Sequence, residues 1–429
     1  MSNKQFSYTF ILIFVFTLII ILTSPLILYP DSDGYLDMSI IRSPSYPLFL
    51  SLLKLVFGSA ETILTIIIQS LLGFYAIHYL IRQFRSHFSI SNLWYVILTI
   101  LLLAPYIYNH KLANSIMSEA LAYPLYLIVV AKFTDALVIK KFKRIYFTLL
   151  LLAILILTRS QFLFLVPIGV LIAIYIAYTK SSYTTLAKSA IIFLILPFLT
   201  SILDKGYHKV KHGHYTSTPW TGIVLISGPM YVSDREDINL FTEDKERDLF
   251  QKAHEKLTNQ CLNINCLKNK EDTNIILTYT DSYSEIANRT ILPIASTILN
   301  NGLTRAETFI EVDRVTKNMY FPLLMDNFKE WFKLYLKNIK MGYGNSIYML
   351  LTLILMIYSL WLAIKHKSKS GLVMGFLLSL ILANIASVAI GIHTINRFTF
   401  YNNWIIFMVI FVLLPNFKHT HHQELNKTS

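Results

Sequence analysis

The run YTFILIFVFTLIIILTSPLILY occupies Tyr8 to Tyr29 and carries no charge. As a helix it would extend about 33 Å, and a bilayer's hydrocarbon core is about 30 Å thick. Comparable runs recur along the 429 residues, of which 54% are hydrophobic and 15% charged. A soluble chain would carry roughly a quarter charged residues. The composition therefore specifies an all-α polytopic membrane protein, because lipid leaves an open backbone only the helix. The first run is read as a span and not a cleaved leader, since no small-residue cleavage pattern follows it.

Ten spans are expected, at 8–29, 61–81, 92–108, 118–138, 145–158, 161–178, 188–203, 345–364, 371–391 and 398–415. Residues 145–178 are split at the TRSQ stretch, because one helix there would reach about 51 Å. Basic residues mark alternate loops: Arg82 and Arg85; Lys140, Lys141, Lys143 and Arg144; Lys180 and Lys188; Lys365, Lys367 and Lys369; and Lys418 after the last span. The positive-inside rule assigns these loops, and both termini, to the cytoplasm of an inner (plasma) membrane. Much of the net charge of +13 is thereby topology signal, and no nucleic-acid partner is expected.

The expected layout is a transmembrane module over 1–203, an extracytoplasmic domain over 204–344, and C-terminal helices with a tail over 345–429. The middle segment reads as mainly helical, α or α/β. EDKERDLFQKAHEKL (Glu243–Leu257) follows a capping Thr242, and RAETFIEVDRVTKNMYF is a second helix. NFKEWFKLYLKNIKMGY has Phe328, Trp331, Phe332 and Tyr335 on one face, so it lies on the membrane surface or leads into the next span. TGIVLISGPMYVS (Thr221–Ser233) reads as a strand or a buried loop. Cys261 and Cys266 lie five apart in an oxidising compartment, which favours a disulfide over two free thiols. The sequon Asn288-Arg289-Thr290 matters only in a eukaryotic host.

The first span ends in PDSDGYLDMS, which places Asp31, Asp33 and Asp37 at a membrane mouth. An EF-hand loop is excluded, because Gly34 stands fourth in the loop and not sixth. The helix LFLSLLKLVFG that follows is too short to span and is expected flat on the outer leaflet. Glu119, Arg159 and Arg397 fall at the same ends of later spans. Charges there usually face a cavity or the interface. Arginine's planar fork suits phosphate, and a carboxylate can serve as base or metal ligand.

In order and motif the chain resembles the polyprenyl-phosphate-dependent glycosyltransferases of the membrane-embedded C superfamily. That group includes protein O-mannosyltransferases and the aminoarabinose transferase of lipid A. The resemblance lies in YPDSDGYLDMS, SPSYPLFLSLLKLVFG, IMSEAL, ILTRSQFLFLVP and a late NRFTFY. It covers the first 170 residues and, more weakly, the tenth span; 204–344 carries no part of it. It implies an inverting transfer from a polyprenyl-phosphate sugar to a hydroxyl of a glycan, lipid or protein, on the extracytoplasmic face. Asp31 matches the catalytic carboxylate of the first outer loop, with Asp33 as a second where many members are neutral. Glu119 matches the acid of the second outer loop. Arg159 and Arg397 match positions facing the lipid phosphate, with His393 a looser match. Phe398 stands where Tyr is usual. The resemblance fixes no certain cofactor, and a divalent metal between Asp31 or Asp33 and Glu119 is an open alternative. Two rival classes remain: a lipid-linked polysaccharide polymerase or ligase, and a transporter or flippase. A transporter would show repeats and midplane charges.

Overall fold

A computed structural model describes residues 3–108, 110–141, 146–179, 183–268 and 274–416. Lys143, Arg144, Lys180 and Lys418 of the loops discussed above lie outside the described residues. The chain runs through α1 (Asn3–Thr23), α2 (Ser32–Leu36), α3 (Ser45–Phe57), α4 (Glu61–His87) and α5 (Asn92–Ile107). There follow α6 (Glu119–Ile139), α7 (Tyr146–Thr158), α8 (Leu165–Thr179), α9 (Tyr183–His212), α10 (Thr221–Val232) and α11 (Asp244–Asn259). Next come α12 (Ile264–Lys268), α13 (Ile275–Ser284), α14 (Leu292–Leu299), α15 (Arg305–Asp326) and α16 (Phe328–Gly342). The last are α17 (Ser346–Lys365), α18 (Lys369–Gly391), α19 (Asn396–Thr399) and α20 (Ile405–Met408). No strand occurs among the described residues.

Eight helices among the described residues are long and apolar enough to cross a membrane. The expected first and fifth spans are present as the apolar helices α1 and α7, whose fully described stretches are Tyr8–Thr23 and Phe147–Thr158. The first ends at Thr23 and not Tyr29, because Pro25 cannot continue a helix. The break at TRSQ is present: Arg159 is extended (φ −152°, ψ 117°), and a 3₁₀ turn (Ser160–Phe164) leads into α8.

The chain forms two compact units. The first comprises Met1–Ile202, Leu350–Ala383 and Phe400–Ser429; the second comprises Leu203–Met349 and Asn384–Thr399. The segment 345–429 is thus shared between them.

In the first unit α6 is the hub and packs on α4, α7 and α8. Tyr123, Tyr126 and Phe133 of α6 are fully buried. A buried pair, His87 Nε2 and Asp135 Oδ1 at 3.0 Å, joins α4 to α6. Outward faces carry Leu12, Phe16, Leu171 and Phe198, all exposed. Such broad apolar surface is stable only in a bilayer. The segment expected to lie flat on the leaflet is α3, which packs on α2, α4 and α7. Gly58, at φ 55°, turns the chain from α3 toward α4.

The second unit has its own core, with Ile226, Tyr231, Phe250, Ile286, Val315 and Leu323 nearly or wholly buried. Thr221–Ser233 is neither strand nor loop: it is α10, packed on α15. Asp313 of α15 accepts a 2.7 Å hydrogen bond from Gly222 N, satisfying an otherwise orphaned donor at the α10 start. A side chain at Gly222 would collide with Thr316, so this close approach needs glycine. Thr242 does not cap α11; Glu243 is the N-cap residue, without a side-chain bond. Cys261 and Cys266 are disulfide-bonded. Thr290 of the sequon is fully buried, although Asn288 is exposed.

Candidate functional site

Two chain segments meet where α1 ends. Asn114 Nδ2 donates to Ile21 O (2.9 Å) and Ser24 O (3.1 Å), closing the carbonyl end of α1. Ile27 and Ser115 form an isolated parallel bridge. Ser32 Oγ accepts from Tyr29 N (2.8 Å) and donates to Ile116 O (2.9 Å). Tyr46 Oη donates to Gln69 Oε1 (2.8 Å), and Gln69 Nε2 donates to Ala113 O (2.9 Å). The acidic loop is therefore fastened along its length to the segment that starts α6.

This fastening aligns two ion pairs. Arg42 Nη2 lies 2.7 Å from Asp31 Oδ1, with side-chain exposures of 17% and 33%. The Arg42 guanidinium sits 4.7 Å from the centre of the Tyr35 ring, a cation–π arrangement. Arg159 Nη1 lies 2.7 Å from Glu119 Oε1, and here the exposures are only 11% and 4%. Arg159 also donates to Ser118 Oγ (3.2 Å) and, through Nε, to Gln161 Oε1 (3.1 Å).

Tyr35 and Ser118 connect the pairs, their hydroxyls 3.0 Å apart. Ser118 Oγ in turn donates to Glu119 Oε2 at 3.4 Å. The continuous chain is Asp31, Arg42, Tyr35, Ser118, Glu119, Arg159. Two carboxylates and two guanidiniums balance in charge, which makes the partial burial of all four tolerable.

Of the residues expected from sequence, the structure brings Asp31, Glu119 and Arg159 together. Asp33 is exposed on α2 and forms no ion pair among the described residues. Arg397 and His393 belong to the second unit. The Arg397 guanidinium lies 5.8 Å from the Phe398 ring. His393 Nδ1 donates to Thr280 O at 2.7 Å, and the imidazole stacks on Tyr283 at 4.6 Å. Burial pushes its pKa down, with nearby Arg397 adding to the shift. A neutral imidazole gives no charge to a phosphate, which weighs against the expected phosphate role. The end of NRFTFY is core: Tyr401 is fully buried and packs on Phe162 and Tyr126 in the first unit.

Sequence reasoning missed Arg42, Tyr35 and Ser118. Arg42 had a signal, being the one cation between Lys4 and Lys54. Tyr35 and Ser118 had none, since a hydroxyl's partner 83 residues away is invisible in sequence.

No group of three or more His, Cys, Asp or Glu side chains suited to a metal ion occurs among the described residues. Asp31 and Glu119 each face a guanidinium, so this pair of carboxylates does not fit a bridging metal. The chain matches no family model, no curated protein and no solved structure.

Proposed function

We propose that this chain is an inverting glycosyltransferase that moves a sugar from a polyprenyl phosphate to an acceptor hydroxyl at the extracytoplasmic membrane face. The observation that carries this reading is the pairing of an accessible carboxylate, Asp31, with a buried Glu119–Arg159 pair through Tyr35 and Ser118. The motif resemblance supports the same reading, and the apolar helices supply the bilayer in which such a donor travels.

Asp31 takes the acceptor proton as the hydroxyl oxygen attacks the anomeric carbon. The new bond is acceptor oxygen to C1. The bond that breaks is C1 to the phosphate oxygen, which leaves with its electron pair as polyprenyl phosphate. Arg159 stabilises the charge that develops there. Arg42 orients Asp31 by holding Oδ1. Glu119, buried against Arg159, is a positioning residue. Arg397 and His393 enter no step, and no step passes through a metal. A single displacement inverts the anomeric centre.

The test is release of polyprenyl phosphate from a panel of radiolabelled polyprenyl-phosphate sugars, using purified wild type and Asp31→Asn. The reading expects release by wild type and its collapse in the folded variant. No release from any donor, or equal release by both proteins, overturns it.

A further inference from the structure

We propose that α16 is an interfacial helix whose exposed face docks on the anionic phospholipid surface of the bilayer that the chain crosses. The helix has three distinct faces. Leu334 and Asn338 are buried, with Trp331 and Tyr335 half-buried and stacked at 5.4 Å on the same side. Asn338 pins this face: its Nδ2 donates to Ala389 O (3.2 Å) and Ile392 O (2.8 Å), and its Oδ1 accepts from Thr394 N (3.1 Å).

The second face is apolar and exposed. It carries Phe328, Phe332 and Leu336 at 47%, 42% and 50% exposure, spaced i, i+4, i+8. Phe328 and Phe332 stack on each other at 5.7 Å. The third face is basic. Lys329, Lys333 and Lys337 are exposed, each one residue on from the apolar stripe, and exposed Lys340 follows Leu336 by one turn; among the described residues only Lys333 of these has an acidic partner, Glu330 at 2.9 Å. The sequence grouped Phe328, Trp331, Phe332 and Tyr335 on one apolar face. The fold divides them, with two turned inward and two left out.

A lipid surface is the occupant that fits this face, for two reasons. Only Tyr343, Gly344 and Asn345 separate α16 from α17, a helix long and apolar enough to span. Three residues reach about 10 Å at most, so the end of α16 stays beside the bilayer. The adjacent rows also match the two layers of an interface: phenyl rings and leucine for the acyl boundary, ammonium groups for anionic headgroups. This inference needs only the spanning helices and is independent of the chemistry proposed above.

The test uses nitroxide labels on Phe332→Cys, Leu336→Cys, Lys333→Cys and, as an exposed reference on α11, Lys252→Cys. The two native cysteines are held in their disulfide. The full chain is placed in nanodiscs of phosphatidylcholine with or without phosphatidylglycerol, and collisions with oxygen and with a nickel chelate are measured. Labels at 332 and 336 should lose chelate collisions and keep oxygen collisions, relative to 252. The label at 333 should stay open to the chelate. Protection should deepen with phosphatidylglycerol, and changing Lys329, Lys333, Lys337 and Lys340 to Gln in the 332- and 336-labelled chains should abolish that dependence. Chelate access at 332 and 336 equal to that at 252 overturns the proposal. So does indifference to phosphatidylglycerol, or dipolar broadening that disappears on dilution with unlabelled chain, which would make a second copy the occupant.

Discussion

The Tyr35 hydroxyl lies 3.0 Å from Ser118 Oγ, and this contact joins two ion pairs whose acids are 88 residues apart in sequence (119 − 31 = 88). It couples a half-open pair, Asp31–Arg42, to a buried one, Glu119–Arg159. The difference in exposure sets different expectations for the two carboxylates.

Asp31→Asn should remove transfer activity with little cost in stability. Loss of a general base typically costs about 10²- to 10⁴-fold in rate, whereas a partly exposed ion pair contributes about 0–1 kcal/mol. Turnover and a melting curve on the same preparation check both halves.

Glu119→Gln should instead destabilise the fold. It leaves the Arg159 charge buried without compensation, a change that costs about 3–5 kcal/mol. Adding Arg159→Gln should recover part of the loss, because the double variant buries no unpaired charge. Thermal unfolding of both single variants and the double variant in detergent measures the coupling.

Gly34→Ala tests Arg42 through the backbone. A Cβ at Gly34 would stand 2.7 Å from Arg42 Nε, so the guanidinium must move off Asp31. The displaced group is the far end of a flexible side chain, so stability should change by about 1 kcal/mol or less. Transfer should fall while the melting temperature holds. Unchanged transfer would show that Arg42 does not orient the base.

The Cys261–Cys266 disulfide closes a short loop beside the core of the second unit. Its loss should cost about 2 kcal/mol, the small end of the range expected for disulfides. Melting with and without reductant, compared with the Cys261→Ser/Cys266→Ser variant, gives the value.

His393 should make stability depend on pH. Its folded pKa is depressed by burial below the ordinary value of 6.5. The unfolded chain therefore binds the proton more readily, and stability present above about pH 6.5 is lost as pH falls toward the folded pKa. His393→Gln should flatten this part of the stability–pH profile, read by chemical denaturation between pH 5 and pH 8 (about the range in which a histidine titrates).

The sequence by itself determined the class and the charges that gather at helix ends. Apolar runs of bilayer length admit only helices, and that constraint is local enough to read from composition. Glu119 and Arg159 were both visible as charges at span ends, because such charges are costly away from an interface or partner. Their pairing was decided by tertiary structure, which brings the start of α6 to the break between α7 and α8. Tertiary structure also turned TGIVLISGPMYVS into α10. An apolar run of this length suits strand or helix equally, and packing against α15, with Asp313 receiving the Gly222 amide, favours the helix. The same holds for α16. Periodicity showed that Phe328 and Trp331 share a side, but only the bonds of Asn338 to the chain near Ile392 decided which ring faces the core. Periodicity is a property of neighbours along the chain; which face is covered depends on residues that are distant in sequence.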